Sequence, residues 1–210
     1  MTSTVRGQPP GRAGLPWLAR RTSMATRGSD LLERKLRILL AEEQDYTLRA
    51  ERTRADWEHA ARELDRWMLT SALISGERGL RLATNGADAA MDIDWRMTMG
   101  VRYPAGATCD LPAEPGGFVP DNTALRHARA AAQMAVRAAV DHAVAAAALA
   151  AIRTEVAGTR RQLRALQRRW LPRLEGAHAR LLIQLDDMEH DEHVRLRWAA
   201  DSARTGRQRR

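Results

Sequence analysis

The densest group of potential metal ligands in this sequence is HDEH at residues 190–193. On a helix, residues three apart share a face, so His190 and His193 could approach a common ion. Zinc proteases use a different spacing, HExxH, in which two histidines four apart flank a glutamate that acts as the base, and this spacing is absent. Charged runs of this kind usually face water. We therefore interpret residues 190–193 as a solvated helix face and predict no metal site.

No other combination of residues points to catalysis. Cys109 is the only cysteine, which rules out a disulfide within the chain. It has no nearby histidine to act as a base, so we interpret it as a small apolar side chain. The glycine-rich motifs that bind phosphate groups, GxxxxGK(S/T) and GxGxxG, are missing. We predict no catalytic residues, no cofactor and no enzymatic activity of the chain itself.

Arginine is the most distinctive residue type, and the stretch TRRQLRALQRR at 159–169 is one of its rich runs. Residues 1–40 and 153–210 each carry a net charge of +6, whereas residues 41–152 carry −4. Guanidinium groups in such numbers bind phosphate groups or acidic protein surfaces, and composition does not separate the two. If the two ends of the chain lie side by side, they form one basic tip.

The first long element is a helix predicted over residues 15–75. Apolar residues recur at alternating spacings of four and three, from Leu32 and Leu36 to Ile74, which is typical of a coiled-coil seam. Residues 1–14 are polar and lack the apolar stretch of a secretory signal, so we expect a disordered lead-in. No apolar run reaches the roughly 18 residues of a membrane span, so we expect no direct membrane insertion.

Residues 76–121 have a different character. Their many Gly and Pro residues exclude a continued helix. Within them, AMDIDWRMTMGVRY alternates apolar and polar residues, which is the two-residue period of a β-strand. We predict a turn-rich insert that carries short β-strands, too small to be a catalytic domain by itself.

A second helix is predicted over residues 122–202, with Asp121 or Asn122 as its N-cap and a basic tail at 203–210. At 1.5 Å per residue it is on the order of 120 Å long, so it cannot bury its apolar stripe inside a globule and must lie along the first helix. The predicted fold is therefore all-α: a long antiparallel two-helix coiled coil with a small β-hairpin insert at the end distal to the termini.

Pro172 lies inside the second helix, where it cannot donate a hydrogen bond to the carbonyl of Arg168. We expect Pro172 and Gly176 to bend the helix, with Gly28 of the first helix opposite and admitting the bulk of Trp170. Apolar residues recur here every eleven positions, as at Leu163, Leu174, Leu185 and Leu196, a spacing that favours nearly straight packing.

Three stretches resemble one known family. The sequence TRRQLRALQRRWLPRLEG and its continuation to residue 198 is similar to the C-terminal helix of the D subunit of the V-type and A-type rotary ATPases, which reads TRRRVNALE…IPRL. The N-terminal stretch from Pro10 to Leu39 resembles the family's first helix. MGVRYP at 99–104 resembles the MGV..P segment of its central insert, through Met99, Gly100, Val101 and Pro104.

The resemblance implies a function. Such proteins form the central rotor shaft, which transmits torque between the A/B ring that hydrolyses or synthesises ATP and the membrane rotor that carries out ion transport, with hydrogen or sodium ions as the coupling ion. The implied partners are the A and B subunits, the F subunit, and the subunit that links the insert end to the membrane rotor ring. The implied location is cytoplasmic, peripheral to the membrane within the complex, with no direct nucleic-acid binding.

Within this interpretation, a set of arginines near the two termini is expected to contact acidic or carbonyl-rich surfaces of the A/B ring. These bearing residues are Arg20, Arg21, Arg27, Arg164, Arg168, Arg169 and Arg173. The alternative is a free-standing basic coiled-coil protein that binds nucleic acid, which the charge pattern alone does not exclude.

Overall fold

The computed structural model describes Val5 and residues 7–83, 88–112 and 123–208, and it is 83% helical. The elements are a 3-10 turn Gly11–Ala13, helix α1 Gly14–Ala83, strands β1 Ala90–Thr98 and β2 Val101–Asp110, helix α2 Thr123–Ala165, a π-helical turn Leu166–Trp170, and helix α3 Leu171–Gln208. Two long helices pack against each other with a two-stranded antiparallel sheet between them, so the predicted fold class is confirmed.

The chain divides into two compact units. Unit 1 consists of residues 1–34 and 159–210, and unit 2 consists of residues 35–158. Each unit therefore takes one part of α1 and one part of the second long helix. The arginine-rich segments fall in unit 1, and the hairpin falls in unit 2.

The start of α1 differs from the expected disordered lead-in. Gly11–Ala13 form the 3-10 turn that leads into α1. Val5 packs against the apolar cluster of unit 1, and Arg12 forms an ion pair with Glu189. These contacts hold the described part of the lead-in to unit 1, whereas residues 1–4 and 6 lie outside the described residues.

The far end of α1 is interrupted at one residue. Helix α1 extends to Ala83, but Gly76 within it has φ 64° and ψ 179°, which are not helical values. Glycine adopts this conformation readily because it has no Cβ. The helix predicted over 15–75 is thus broken one residue beyond its predicted end, and residues 77–83 return to helical geometry.

The predicted β-hairpin is present. Its turn is Met99–Gly100, and both residues have positive φ, 50° and 81°, as a type I′ turn requires. The pairing register shifts between Asp94 and Trp95, which leaves an extra residue on β2 as a β-bulge. Residues 84–87 and 113–121 of the predicted turn-rich insert lie outside the described residues.

The second long helix runs from Thr123 to Gln208, interrupted only by the π-helical turn. Its predicted caps, Asp121 and Asn122, lie outside the described residues. The predicted basic tail at 203–210 is helical as far as Gln208, because no helix-breaking signal ends the second helix near residue 202.

In unit 2, α1 and α2 form a narrow core. Leu39 and Tyr46 of α1 pack with Ala145 and Ile152 of α2, and Tyr103 of β2 joins them. The many alanines of α2 allow the helices to approach closely. Along the seam, Lys35 Nζ lies 2.5 Å from Glu155 Oε1 and Arg153 Nε lies 3.2 Å from Glu43 Oε1. As residue numbers rise along α1 their partners fall along α2, which is an antiparallel arrangement.

The apolar character of α2 has a second interpretation. The stretch Thr123–Ala200 contains a window that is long and apolar enough to cross a membrane, with mean hydropathy 1.5, and 33% of that window is buried. No span was predicted there from the sequence, because alanine supplies most of the hydropathy. Ala145, Ala148 and Ile152 are fully buried in the core of unit 2. We therefore interpret this stretch as a helix-packing face.

In unit 1, Leu18 of α1 packs with Leu174, Ala177 and Leu181 of α3. The expected pairing of Gly28 with Trp170 is wrong. A Cβ on Gly28 would lie 3.9 Å from Leu166 Cδ2, one turn earlier, and Trp170 is 48% exposed. The expectation failed because it assumed an unbroken α-helix through residues 166–170.

Candidate partner-binding surfaces

The expected bearing arginines all lie in unit 1, on the solvent-facing side of its helices. Leu18 and Leu174 face the core of unit 1, so neighbouring positions on each helix turn outward. All seven side chains are exposed, and none forms an ion pair with a carboxylate of a described residue. Arg21 alone has a ring contact, with its guanidinium 5.0 Å from the centroid of Trp17.

Charge is concentrated in unit 1. It contains 19 Arg and Lys residues against 9 Asp and Glu residues, a net charge of +10, whereas unit 2 carries −2. Between Glu155 and Glu175 there are six arginines and no acidic residue. With little carboxylate nearby to neutralise them, these guanidinium groups remain available to a partner.

The middle of this arginine run is the π-helical turn Leu166–Trp170. There Gln167 donates hydrogen bonds to Ser29 Oγ at 3.1 Å and to Glu33 Oε1 at 2.6 Å. Ser29 is buried, whereas the bond to Glu33 is exposed, so the turn is tied to α1 from the core side and at the surface of unit 1. Neither the role of Gln167 nor the π turn was predicted from the sequence. The only signal was the eight-residue gap between Leu166 and Leu174.

Pro172 and Gly176 follow this turn. Leu171 has ordinary helical geometry, with φ −57° and ψ −52°, and α3 begins there. The irregularity of the helix thus precedes Pro172 and is a widened turn. Gly176 lies within α3, where a Cβ would meet Arg180 Nη1 at 3.4 Å. A bend at these two residues stays a prediction.

The insert residues that matched the motif separate into two groups. Met99 and Gly100 form the exposed hairpin turn, whereas Val101 and Pro104 are buried. Tyr103, between them, is fully buried, and its hydroxyl lies 2.9 Å from Thr98 Oγ1 and donates to Glu42 Oε2 at 3.3 Å. The turn-proximal half of β2 therefore anchors the hairpin to α1.

Tyr46 shows how closely the hairpin packs. Its ring meets the Tyr103 ring edge-on, with centroids 5.3 Å apart. Burial raises the pKa of Tyr46 above its ordinary value of 10.0, and the neighbouring Tyr103 adds to the increase. Tyr46 is 5% exposed and Tyr103 is fully buried, so the strand and the helix are in close contact at these two rings.

The opposite face of the hairpin is apolar and exposed. Met91, Ile93, Trp95 and Met97 alternate along β1, so they share one face of the strand. Their exposure ranges from 40% for Ile93 to 68% for Met97. The alternation was predicted, but the sequence did not indicate which face is buried. A row of large exposed apolar side chains marks a surface that binds another protein.

The candidate chemical groups of the sequence do not form a site. His190 and His193 are exposed on α3. Among the described residues, no group of three or more His, Cys, Asp or Glu side chains is placed to hold a metal ion. Cys109 lies on β2 opposite Met91 of β1. The candidate functional features of the described chain are thus surfaces.

Comparison with known proteins identifies the family. A family model that describes the D subunit of ATP synthase matches residues 15–201. The chain belongs to the ATP synthase D-subunit family. The D subunit of the A-type ATP synthase of Methanopyrus kandleri is 28% identical to it over 200 residues, which cover 91% of this chain and 85% of the relative. That of Methanobrevibacter smithii is 24% identical over 202 residues, covering 92% and 86%.

The family match covers every candidate surface of this D-subunit family member. Residues 15–201 include the seven arginines, the π turn and the hairpin. The resemblance inferred from the residues is therefore confirmed. The roles of individual residues do not follow from the match and rest on their geometry.

Proposed function

We propose that this protein is the central rotor shaft of a V-type/A-type ATPase. It is a non-catalytic stalk subunit that transmits torque between the A/B ring and the membrane rotor. Two observations support the proposal: the D-subunit family model matches along residues 15–201, and the helices are antiparallel in both units. A paired-helix shaft resists twisting better than a single helix, which torque transmission requires.

The basic unit is the proposed bearing. Arg20, Arg21, Arg27, Arg164, Arg168, Arg169 and Arg173 contact acidic or carbonyl-rich surfaces of the A and B subunits. The observation that carries this assignment is that all seven are exposed and none is paired with a carboxylate of a described residue. Guanidinium groups without internal ion pairs lose little on meeting external carboxylates.

The hairpin is the proposed contact toward the membrane rotor. The face formed by Met91, Ile93, Trp95 and Met97 packs on the subunit that links the shaft to the rotor ring, and the F subunit binds alongside the shaft. Met99 and Gly100 belong to the same exposed end of the hairpin. Methionines suit this contact because their flexible side chains adapt to a partner surface. The protein accordingly acts at the cytoplasmic side of the membrane, without a cofactor of its own.

The test of the bearing uses two matched variants. One changes Arg164, Arg168, Arg169 and Arg173 to Gln, and the control changes four exposed arginines of unit 2 to Gln: Arg52, Arg62, Arg126 and Arg137. Each is reconstituted with separately purified A, B and F subunits, and affinity for the A/B ring and ATP-driven rotation are measured. We expect the first variant to lose at least about fourfold in affinity, from exposed charge contacts, and the control to bind normally.

Two results would reject the proposal. Equal binding of both variants would remove the arginines from the interface. Failure of the unmodified protein to join the A/B ring would reject the shaft itself. The alternative function, nucleic-acid binding by a free-standing coiled coil, has no support from the family match. It would return if the unmodified protein bound DNA with an affinity that falls steeply with salt.

A further inference from the structure

The π-helical turn coincides with a change in the spacing of the residues that face α1 within unit 1. N-terminal to the turn, the inward positions are Thr159, Leu163 and Leu166, spaced four and three. C-terminal to it they are Leu174, Ala177 and Leu181, spaced three and four. Both sets follow one face of an α-helix. The step between them, from Leu166 to Leu174, is eight residues.

An unbroken α-helix does not accommodate this step. Two α-turns contain about 7.2 residues, so the next inward position after Leu166 would be residue 173. Arg173 is exposed, and the inward residue is Leu174. The chain therefore contains one residue more than an α-helix needs between its two inward faces.

The π turn takes up this extra residue. The N–H of Leu171 donates to the carbonyl oxygen of Leu166, five residues back, where an α-helix would use the carbonyl four back. A π turn is an α-turn with one residue inserted. Trp170 lies in it and is 48% exposed, as expected of a residue that bulges away from the seam.

The position of Pro172 fits the same turn. In an α-helix its ring would crowd the Arg168 carbonyl, and its missing N–H would cost a hydrogen bond, about 3 kcal/mol or more in total. A widened turn already leaves a carbonyl without its regular N–H partner, so proline costs less here than elsewhere. Proline is tolerated at this point because the hydrogen-bond ladder is already interrupted.

We propose that the π turn, by taking up the extra residue at 166–170, is a built-in register device, which sets the rotation of α3 about its axis so that Leu174, Ala177 and Leu181 meet α1. In a regular α-helix that kept the extra residue, everything after residue 170 would turn by roughly 100° about the helix axis. The side-chain hydrogen bonds of Gln167 to Ser29 and Glu33 hold the widened turn in place. The spacing of apolar residues creates the turn, and Pro172 adapts to it.

The proposal has a second part, which rests on the proposed function. A widened turn with fewer regular backbone hydrogen bonds twists more easily than an α-helix. In a shaft that carries torque, this turn is a point of torsional compliance beside the proposed bearing arginines. Removing the extra residue should leave the shaft assembled but stiffer.

The structural test compares two single-residue deletions. The first removes Trp170 and carries Pro172→Ala, which deletes the extra residue and restores the missing N–H. The control removes Ala147, an exposed alanine within α2 about six turns before Trp170. Amide hydrogen exchange of the full-length protein is measured on peptides from the two sides of the turn, residues 148–165 and 171–185, and on a peptide that spans it, residues 166–173.

The two deletions should behave differently. Deletion of Trp170 with Pro172→Ala should keep protection in both peptides and raise it across residues 166–173, because a regular helix forms with the same inward face. Deletion of Ala147 should lower protection between residue 148 and the π turn, because Ala148, Ile152 and Val156 leave the seam. Equal loss of protection in both variants would overturn the register device.

A third variant tests whether the π turn is caused by the spacing of the apolar residues or by Pro172. Pro172→Ala alone keeps the extra residue, so the slow-exchanging pattern of residues 174–185 should match that of the unmodified protein. This differs from the expectation that Pro172→Ala straightens the helix. A rotated face, seen as exchange of Leu174 and Ala177 rising to that of exposed positions, would show that proline causes the turn and would refute the proposal.

The functional part is measured in the assembled complex. With the A/B ring fixed and a bead on the shaft, the spread of thermal angular fluctuations during catalytic pauses reports torsional stiffness. The variant lacking Trp170 and carrying Pro172→Ala should give a narrower spread than the unmodified shaft. An unchanged spread of the angular fluctuations would refute the proposed torsional compliance of the π turn. It would not affect the proposal that this turn sets the register of α3. If the unmodified protein does not rotate in the complex, the proposed function fails instead.

Discussion

Replacing glycine by alanine is expected to have opposite effects on stability at two positions in the helices, Gly14 and Gly158. Gly14 is the first residue of α1 and has helical geometry, φ −68° and ψ −30°, so an alanine suits its backbone. A Cβ there, however, would lie 2.7 Å from Leu181 Cδ2 and 2.7 Å from the carbonyl oxygen of Pro9. Gly158 is a half-buried residue inside α2, and a Cβ there meets nothing within 4 Å.

The magnitudes follow from these distances. Replacing glycine by alanine inside a helix is worth about 0.5–1 kcal/mol, because glycine loses more backbone freedom on folding. At Gly158 nothing opposes this gain. At Gly14 the Leu181 methyl can rotate away, but the Pro9 carbonyl belongs to the backbone and must move with it. Overpacking of this kind costs about 1–3 kcal/mol, which exceeds the gain.

We therefore expect Gly158→Ala to raise the unfolding temperature by about 2–4 °C and Gly14→Ala to lower it by a similar amount. Thermal unfolding followed by circular dichroism gives the sign, and amide exchange around Leu18 and Leu181 shows whether the loss at Gly14 is local. If Gly14→Ala stabilises the protein as Gly158→Ala does, then α1 does not approach α3 as closely at its start as the structure shows.

Three further changes test other contacts. Thr159 is buried and its hydroxyl has no hydrogen-bond partner among the described residues, so Thr159→Val should stabilise unit 1 by about 1 kcal/mol in denaturant titrations, and a loss would reveal a partner. Met99 has φ 50° in the type I′ turn, so Met99→Asn should stabilise the hairpin by about 0.5–1 kcal/mol and slow its amide exchange. In Tyr103→Phe, Tyr46 is the only tyrosine. Its phenolate absorbance should titrate above pH 10.0, so stability present below pH 10 declines as the pH rises through the raised pKa of Tyr46. A midpoint at or below 10 would contradict its burial.

The helices and their pairing were predictable because each rests on a repeated local pattern. Leu39 and Tyr46 are seven residues apart on the predicted seam, and both are buried in unit 2. The length of the second helix left no way to bury its apolar face except along the first. The hairpin was predictable from alternation, but its turn at Met99–Gly100 was not predicted, because the alternation was taken to continue through Met99. These local patterns predict the fold correctly because the tertiary packing favours the same structure.

Other features depend on contacts that no local pattern encodes. Nothing in the sequence of β1 shows that its apolar face points to solvent, since a buried and an exposed apolar face give the same alternation. The choice is made by Tyr103 of β2, which packs on α1 and bonds to Glu42. The π turn was missed for a related reason: the eleven-residue repeat was interpreted as nearly straight packing along the helix, whereas the chain concentrates the change of spacing in one turn near Leu166.

The distribution of apolar side chains argues that this chain is completed by other proteins. On α3, every residue from Asp186 to Ala200 is exposed, although Met188, Val194 and Leu196 are large and apolar. α1 does not cover this stretch, because its first residue, Gly14, already lies against Leu181.

A monomer gains nothing by exposing large apolar side chains in two places, on α3 of unit 1 and on β1 of unit 2. Each unit of this D-subunit family member thus carries an apolar surface that its own helices leave uncovered, and unit 1 adds the excess of positive charge. A stalk protein needs contacts with other subunits on both of its units. A protein acting alone would need neither the apolar surfaces nor the excess of positive charge.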